Sequence, residues 1–129
     1  MEFVVGSVIA AALLIFISKM PLAFAQARAV GGYDNSNPRG QQASLEGFGA
    51  RAKAAHENTI EAFPVFAAGA LLALWSDADV ATMQMWCSIF LVSRVVYIAL
   101  YLMDKGTLRS LVWFVGLVAS YALMAQPLL

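Results

Sequence analysis

The chain has 129 residues, 61% of them hydrophobic and only 12% charged, with eight basic and eight acidic side chains and a net charge of zero. Its mean hydropathy of +0.74 is more apolar surface than a soluble domain of this size hides. Scattered basic residues argue against nucleic acid as a partner, and one cysteine (Cys87) with one histidine (His56) excludes an intrachain disulfide and a metal site built by clustering.

The first apolar run covers residues 3–25, enough to cross a hydrocarbon core at about 20 residues per helix. Ala23-Phe24-Ala25 has the small-x-small look of a cleavage site. Glu2 stands where a signal peptide carries a base, however, and the run is too long for an h-region, so a retained helix with an uncleaved N-terminus is expected. Residues 29–49 break the pattern with Gly31-Gly32-Tyr33 and Asp34-Asn35-Ser36-Asn37-Pro38-Arg39-Gly40. These are turn formers, and Asn37 before Pro38 is pushed out of helical geometry, so a loop is expected.

A second helix is expected to begin near Leu45 or Gly49 and to cross over residues 59–75. Arg51, Ala55, Asn58, Ala62 and Val65 fall on one stripe of it, with Glu61 at the border and His56 pointing nearly the opposite way. Pro64 removes a backbone donor and should bend the helix there. Ala67-Ala68-Gly69-Ala70 and Ala73 permit a close neighbour. The third crossing, 80–102, carries Phe90, Arg94, Tyr97 and Tyr101 on one stripe, which Lys105 continues; the fourth covers 108–125. Trp75 and Trp86 fit the outer interface, and Trp113 the inner half of the fourth span. The remaining connections are brief, which makes consecutive helices antiparallel neighbours. The expectation is an all-α membrane protein, a four-helix transmembrane bundle in a single domain spanning residues 1–129.

Charge sets the orientation. Arg28, Arg39, Arg51 and Lys53 lie between spans one and two, and Lys105 and Arg109 between spans three and four, whereas the middle connection has only Asp77 and Asp79. Alternating crossings put both basic connections on one side, so the positive-inside rule predicts that residues 29–49 are cytoplasmic and both termini outside.

Glu61 and Arg94 each sit a few residues inside the cytoplasmic end of a span, roughly 10 Å below the boundary. A bilayer penalises such groups, so they mark a site or a structural pair. A direct ion pair fixing helix register is one expectation, although burying both charges offsets most of the attraction. Together with Asn58, Tyr97 and Tyr101, the two charges outline a polar pocket open to the cytoplasm, ringed by Arg28, Arg51, Lys53, Lys105 and Arg109. It suits a small anionic ligand with amide and carboxylate groups, and lipid beside it offers a route for an apolar reactant. His56 reads as a polar anchor at the interface, and Cys87, in apolar surroundings, as inert.

Arg51-Ala52-Lys53-Ala54-Ala55-His56-Glu57-Asn58-Thr59-Ile60-Glu61-Ala62-Phe63-Pro64-Val65-Phe66 resembles the signature of the MAPEG superfamily, membrane-associated proteins in eicosanoid and glutathione metabolism. Arg94-x-x-Tyr97-x-x-x-Tyr101 is similar to its third-helix motif, and Asn37-Pro38-Arg39 resembles the bacterial branch. The resemblance covers essentially the whole chain. It implies a homotrimer, with glutathione as co-substrate between subunits near the cytoplasmic face and a lipophilic electrophile or hydroperoxide arriving from the membrane lipids. It implies that Asn58, Glu61, Tyr97 and Tyr101 bind glutathione and that Arg109, or else Arg28, activates its thiol; in the pocket reading Arg94 fixes the ligand's carboxylate, and Arg51 substitutes, from one turn earlier, for the arginine that many members carry at position 54. Ala54 and Ala62 stand where many members have Arg and Tyr. The alternatives are a non-catalytic lipid-binding or scaffold protein on the same fold, and a small proton-coupled exporter using Glu61 as its membrane carboxylate.

Overall fold

Helix α1 runs Glu2–Ala27, α2 Pro38–Ser44, α3 Gly47–Trp75, α4 Val80–Leu102 and α5 Gly106–Met124, and a 3-10 turn follows at Gln126–Leu128. The computed structural model describes all 129 residues. Four of the helices are long and apolar enough to cross a membrane, as the hydropathy pattern predicts. The protein is an all-α integral membrane bundle. With 29 residues, α3 is about 43 Å long, more than a hydrocarbon core of about 30 Å requires. Its first turns therefore lie outside the span expected at 59–75. It continues through Pro64 without a break.

The connection expected as a loop over 29–49 contains α2, a correction with a local cause. Asn37 and Pro38 resist helix continuation, and the same chemistry starts one. The Asn37 Oδ1 accepts the Gly40 N–H at 3.1 Å, and Pro38 occupies the first helical position, where a missing N–H costs nothing. Upstream, Asp34 Oδ1 accepts the N–H groups of Ser36 and Asn37, and Gly31 and Gly32 take the positive φ values (86° and 77°) that turn the chain back.

Packing is close because the interior is small. Val4, Ala11, Phe66, Ala70, Ala73, Met83, Cys87, Phe90, Ala119 and Leu123 form the buried core. Phe66 of α3 and Phe90 of α4 stack with centroids 3.9 Å apart and rings within 1° of parallel. A Cβ on Gly69 of α3 would stand 2.5 Å from the Ser120 carbonyl oxygen of α5, so this crossing tolerates only glycine. Outside, Phe16, Ile17, Met20, Leu111 and Phe114 are exposed, the composition of a surface that meets lipid. Helix α4 begins on Asp79, whose carboxylate accepts both the backbone N–H (2.8 Å) and the hydroxyl (2.9 Å) of Thr82. Those bonds hold the Asp79 carboxyl below the usual carboxylate range, the backbone N–H contributing most.

Candidate functional site

The polar residues of α3 and α4 meet beside α5, in an order that periodicity alone does not give. Arg94 is 3% exposed and its Nη2 donates to Asn58 Oδ1 at 2.9 Å. The Asn58 Nδ2 donates in turn to Glu61 Oε2 at 3.3 Å. The expected direct pair between Glu61 and Arg94 is therefore corrected: the Asn58 amide stands between them. One turn of α3 separates Asn58 from Glu61, and the guanidinium reaches the nearer side chain first. The other charged contact on α3, Lys53 Nζ to Glu57 Oε1 at 2.6 Å, keeps Lys53 occupied within its own helix.

The sequence of contacts continues down α4. The Arg94 guanidinium lies 4.2 Å over the Tyr97 ring, Tyr97 meets Tyr101 edge to face at 5.6 Å, and the Arg109 guanidinium lies 4.2 Å over Tyr101. Glu61, Asn58, Arg94, Tyr97, Tyr101 and Arg109 thus form one ladder of polar and cation–π contacts. Two cavities flank it. The first, about 160 Å³, is walled by Asn58, Glu61, Phe90, Arg94, Trp113 and Gly116, among others. The second, about 210 Å³, is walled by Asn58, Tyr97, Tyr101, Arg109, Ser110 and Trp113. Asn58 and Trp113 belong to both. Each cavity admits several waters.

Two features mark the first cavity as chemically open. Arg94 Nε is buried without a hydrogen-bond partner, an uncommon state for a buried donor. Glu61 is exposed, although it lies in a helix that crosses the membrane. The site therefore offers an unspent cationic donor inside and a carboxylate at its rim, matched to a ligand that carries both an anionic and a cationic group.

Other expected site residues lie elsewhere. Arg51 lines neither cavity, and its Nε is also buried without a partner. Arg28, exposed at the end of α1, stacks 4.6 Å over Phe24 and lines neither cavity. His56 is not an interfacial anchor but 6% exposed. The Ser18 hydroxyl donates to the Ile15 carbonyl oxygen at 2.8 Å, so the His56 Nδ1–H supplies the proton of the 2.9 Å bond to Ser18 Oγ. Trp113, Ser110 and Gly116 were not among the expected site residues. Trp113 follows Arg109 by one helical turn, and that spacing is the signal that places it on the same face.

No curated protein and no solved structure matches the chain. The sequence model of the MAPEG family matches residues 3–129, nearly the full length, and the chain belongs to the MAPEG family.

Proposed function

We propose that this protein binds glutathione along the ladder and uses the thiolate against apolar electrophiles or lipid hydroperoxides. The observation that carries this reading is the placement of Arg94, with its unspent Nε, on one cavity and Arg109 on the next, the two cavities sharing Asn58 and Trp113 as walls. Glu61 takes the ligand's amino group, Arg94 a carboxylate, and Asn58 with Tyr97 and Tyr101 positions the peptide. Arg109 faces the thiol. A free thiol titrates near pH 8.5, and each unit of lowering takes about 1.4 kcal/mol of thiolate stabilisation. A guanidinium in a partly dry cavity supplies that much. In conjugation, the thiolate sulfur bonds to the electrophilic carbon and the leaving group departs with the electron pair. In reduction, two glutathiones become a disulfide while the hydroperoxide becomes alcohol and water.

The exposed Glu61 supports assembly as a homotrimer, because a second copy covers a carboxylate that lipid would not accept. The basic connections support cytoplasmic placement of residues 29–49 with the termini outside, and the bacterial-branch resemblance at Asn37-Pro38-Arg39 supports an inner membrane. In such an assembly Arg28 would serve a neighbour's site.

A second reading, a non-catalytic lipid-binding or scaffold protein, draws on Ala54 and Ala62, two positions without the polar side chains the family resemblance leads one to expect; Ala62 leaves a bare stretch of cavity wall. The exporter reading gains from Glu61 being bonded to an amide rather than held by a guanidinium. Calorimetry of glutathione with the detergent-solubilised oligomer separates these. The expected result is saturable binding in the wild type, its loss in Glu61→Gln, and loss of conjugation in Arg109→Ala with helicity retained. Absence of both binding and conjugation overturns the proposal in favour of the scaffold, and pH-dependent binding of hydrophobic cations without glutathione binding favours the exporter.

A further inference from the structure

Lys19 and Arg39 have no partner within their own chain. Arg28, Arg94 and Arg109 each lie over an aromatic ring, and Lys53 is held by Glu57. That pair is the one salt bridge of the molecule, so neither Lys19 nor Arg39 meets a carboxylate, and both are exposed. Lys19 is the more telling of the two. It precedes Ala25, the end of the first apolar run, by six residues, which is about 9 Å along the helix. The exposed Phe16 lies one turn before it, and the exposed Met20 is next in sequence. A cation among lipid-facing side chains is costly unless it reaches the interface or finds a counter-charge. Its four methylenes carry the ammonium to the level of the headgroups.

Arg39 comes to the same place by way of α2. The Gln26 Nε2 donates to the Pro38 carbonyl at 3.2 Å, which fixes the first turn of α2 against the end of α1. Gln26 follows Lys19 by seven residues, two turns along one face, so Arg39 stands about 10 Å beyond Lys19 toward the connection. One turn on from Lys19 lies Ala23, exposed and short, and it leaves a notch that the two long side chains can close from either end. The charges of both cations reach the ring of His56, whose partner Ser18 adjoins Lys19, so they gather on one side of the bundle. The one acid that also acts on His56 is Glu57, already spent on Lys53. We propose that Lys19 and Arg39 hold the headgroup phosphate of an anionic membrane lipid at the Ala23 notch, its acyl chains lying along Phe16. With no free carboxylate to receive a choline or an ethanolamine, the notch favours a headgroup without a cation. Neither residue takes part in the glutathione reading, and the lipid site stands or falls apart from it.

A phosphatidylglycerol carrying a headgroup diazirine, in phosphatidylcholine vesicles holding the full-length oligomer, tests the site. Photolabelling is expected around Ala23 and Arg39, and unlabelled phosphatidylglycerol should suppress it on the order of tenfold better than added phosphatidylcholine. The double variant Lys19→Gln with Arg39→Gln should abolish that advantage, and each single change should remove part of it, which keeps the test open if the double variant misfolds. Lys19→Arg should retain it. Lys105→Gln, at a cation of the other basic connection, should leave it unchanged. Equal suppression by the two lipids overturns the proposal, as does an undiminished advantage in the double variant. An equal loss in Lys105→Gln would show diffuse attraction to a charged surface instead of a site. Suppression by soluble glycerol 3-phosphate as effective as that by the lipid would assign the notch to a free anion. Disulfide crosslinks between protomers through Ala23→Cys would show that a second copy fills it. Either of the last two results also overturns the lipid assignment.

Discussion

Where α1, α2 and α3 meet, the buried amides and the His56–Ser18 pair are occupied. Gln26, 1% exposed, donates through Nε2 to the Pro38 carbonyl and to Gln41 Oε1, and accepts from Gln42 Nε2. Gln41 Nε2 closes the net on the Gly32 and Gln26 carbonyls, and His56 and Ser18 satisfy one another a little deeper. On its α4–α5 side, helix α3 contributes Asn58 and Glu61 to a cluster that stays incomplete, with Arg94 Nε unspent and Glu61 exposed. Occupied groups hold the connection between α1 and α3 in place. Unspent groups leave interaction energy available for something that arrives later.

Three substitutions test that division, beginning with the one expected to matter most. Arg94→Leu should weaken glutathione binding on the order of a hundredfold, the scale of a charged hydrogen bond, while the thermal midpoint in detergent moves little. A collapse of the fold instead would make the cluster structural. Gln26→Leu should do the opposite, leaving the buried Gln42 Nε2 without its acceptor at a cost of about 2 kcal/mol. Denaturation should show it, and glutathione calorimetry should not. Ser18→Ala removes one buried hydrogen bond from His56, about 1 kcal/mol, again read in the thermal midpoint with affinity unchanged.

The smallest effect belongs to neither side. The Asp79 carboxyl is held low by Thr82, so its contribution is full above the unfolded value of about 3.9 and disappears as pH falls through the lower folded value. Asp79→Asn should therefore flatten the acid limb of the stability profile below about pH 4 and leave binding at neutral pH untouched. Thermal midpoints measured across that range decide it.

Some of this was legible in the residues and some was not. The spans followed from hydropathy, with 80–102 matching α4 end to end. The Arg94, Tyr97, Tyr101 face followed from helical period, since all three do lie along one ladder. Equal depth for Glu61 and Arg94 gave their height but not their rotation about the axes, and rotation is what inserts Asn58 between them. For His56 the wheel angle was right and the surroundings were wrong: pointing away from Asn58 means pointing at α1, which no local pattern reveals. Trp113 was legible as a neighbour of Arg109 only once Arg109 was tied to Tyr101. Helix α2 escaped notice because Asn-Pro serves both to end helices and to begin them.

A carboxamide has an accepting end and a donating end, and at position 58 the flanking charges dictate which way round it sits. That gives the ladder a handedness. Replacing Asn58 with aspartate, the same shape with two accepting ends, would tighten the grip on Arg94 and set two anions against each other at the rim. The identity of one uncharged side chain thus governs whether its charged neighbours cooperate or repel.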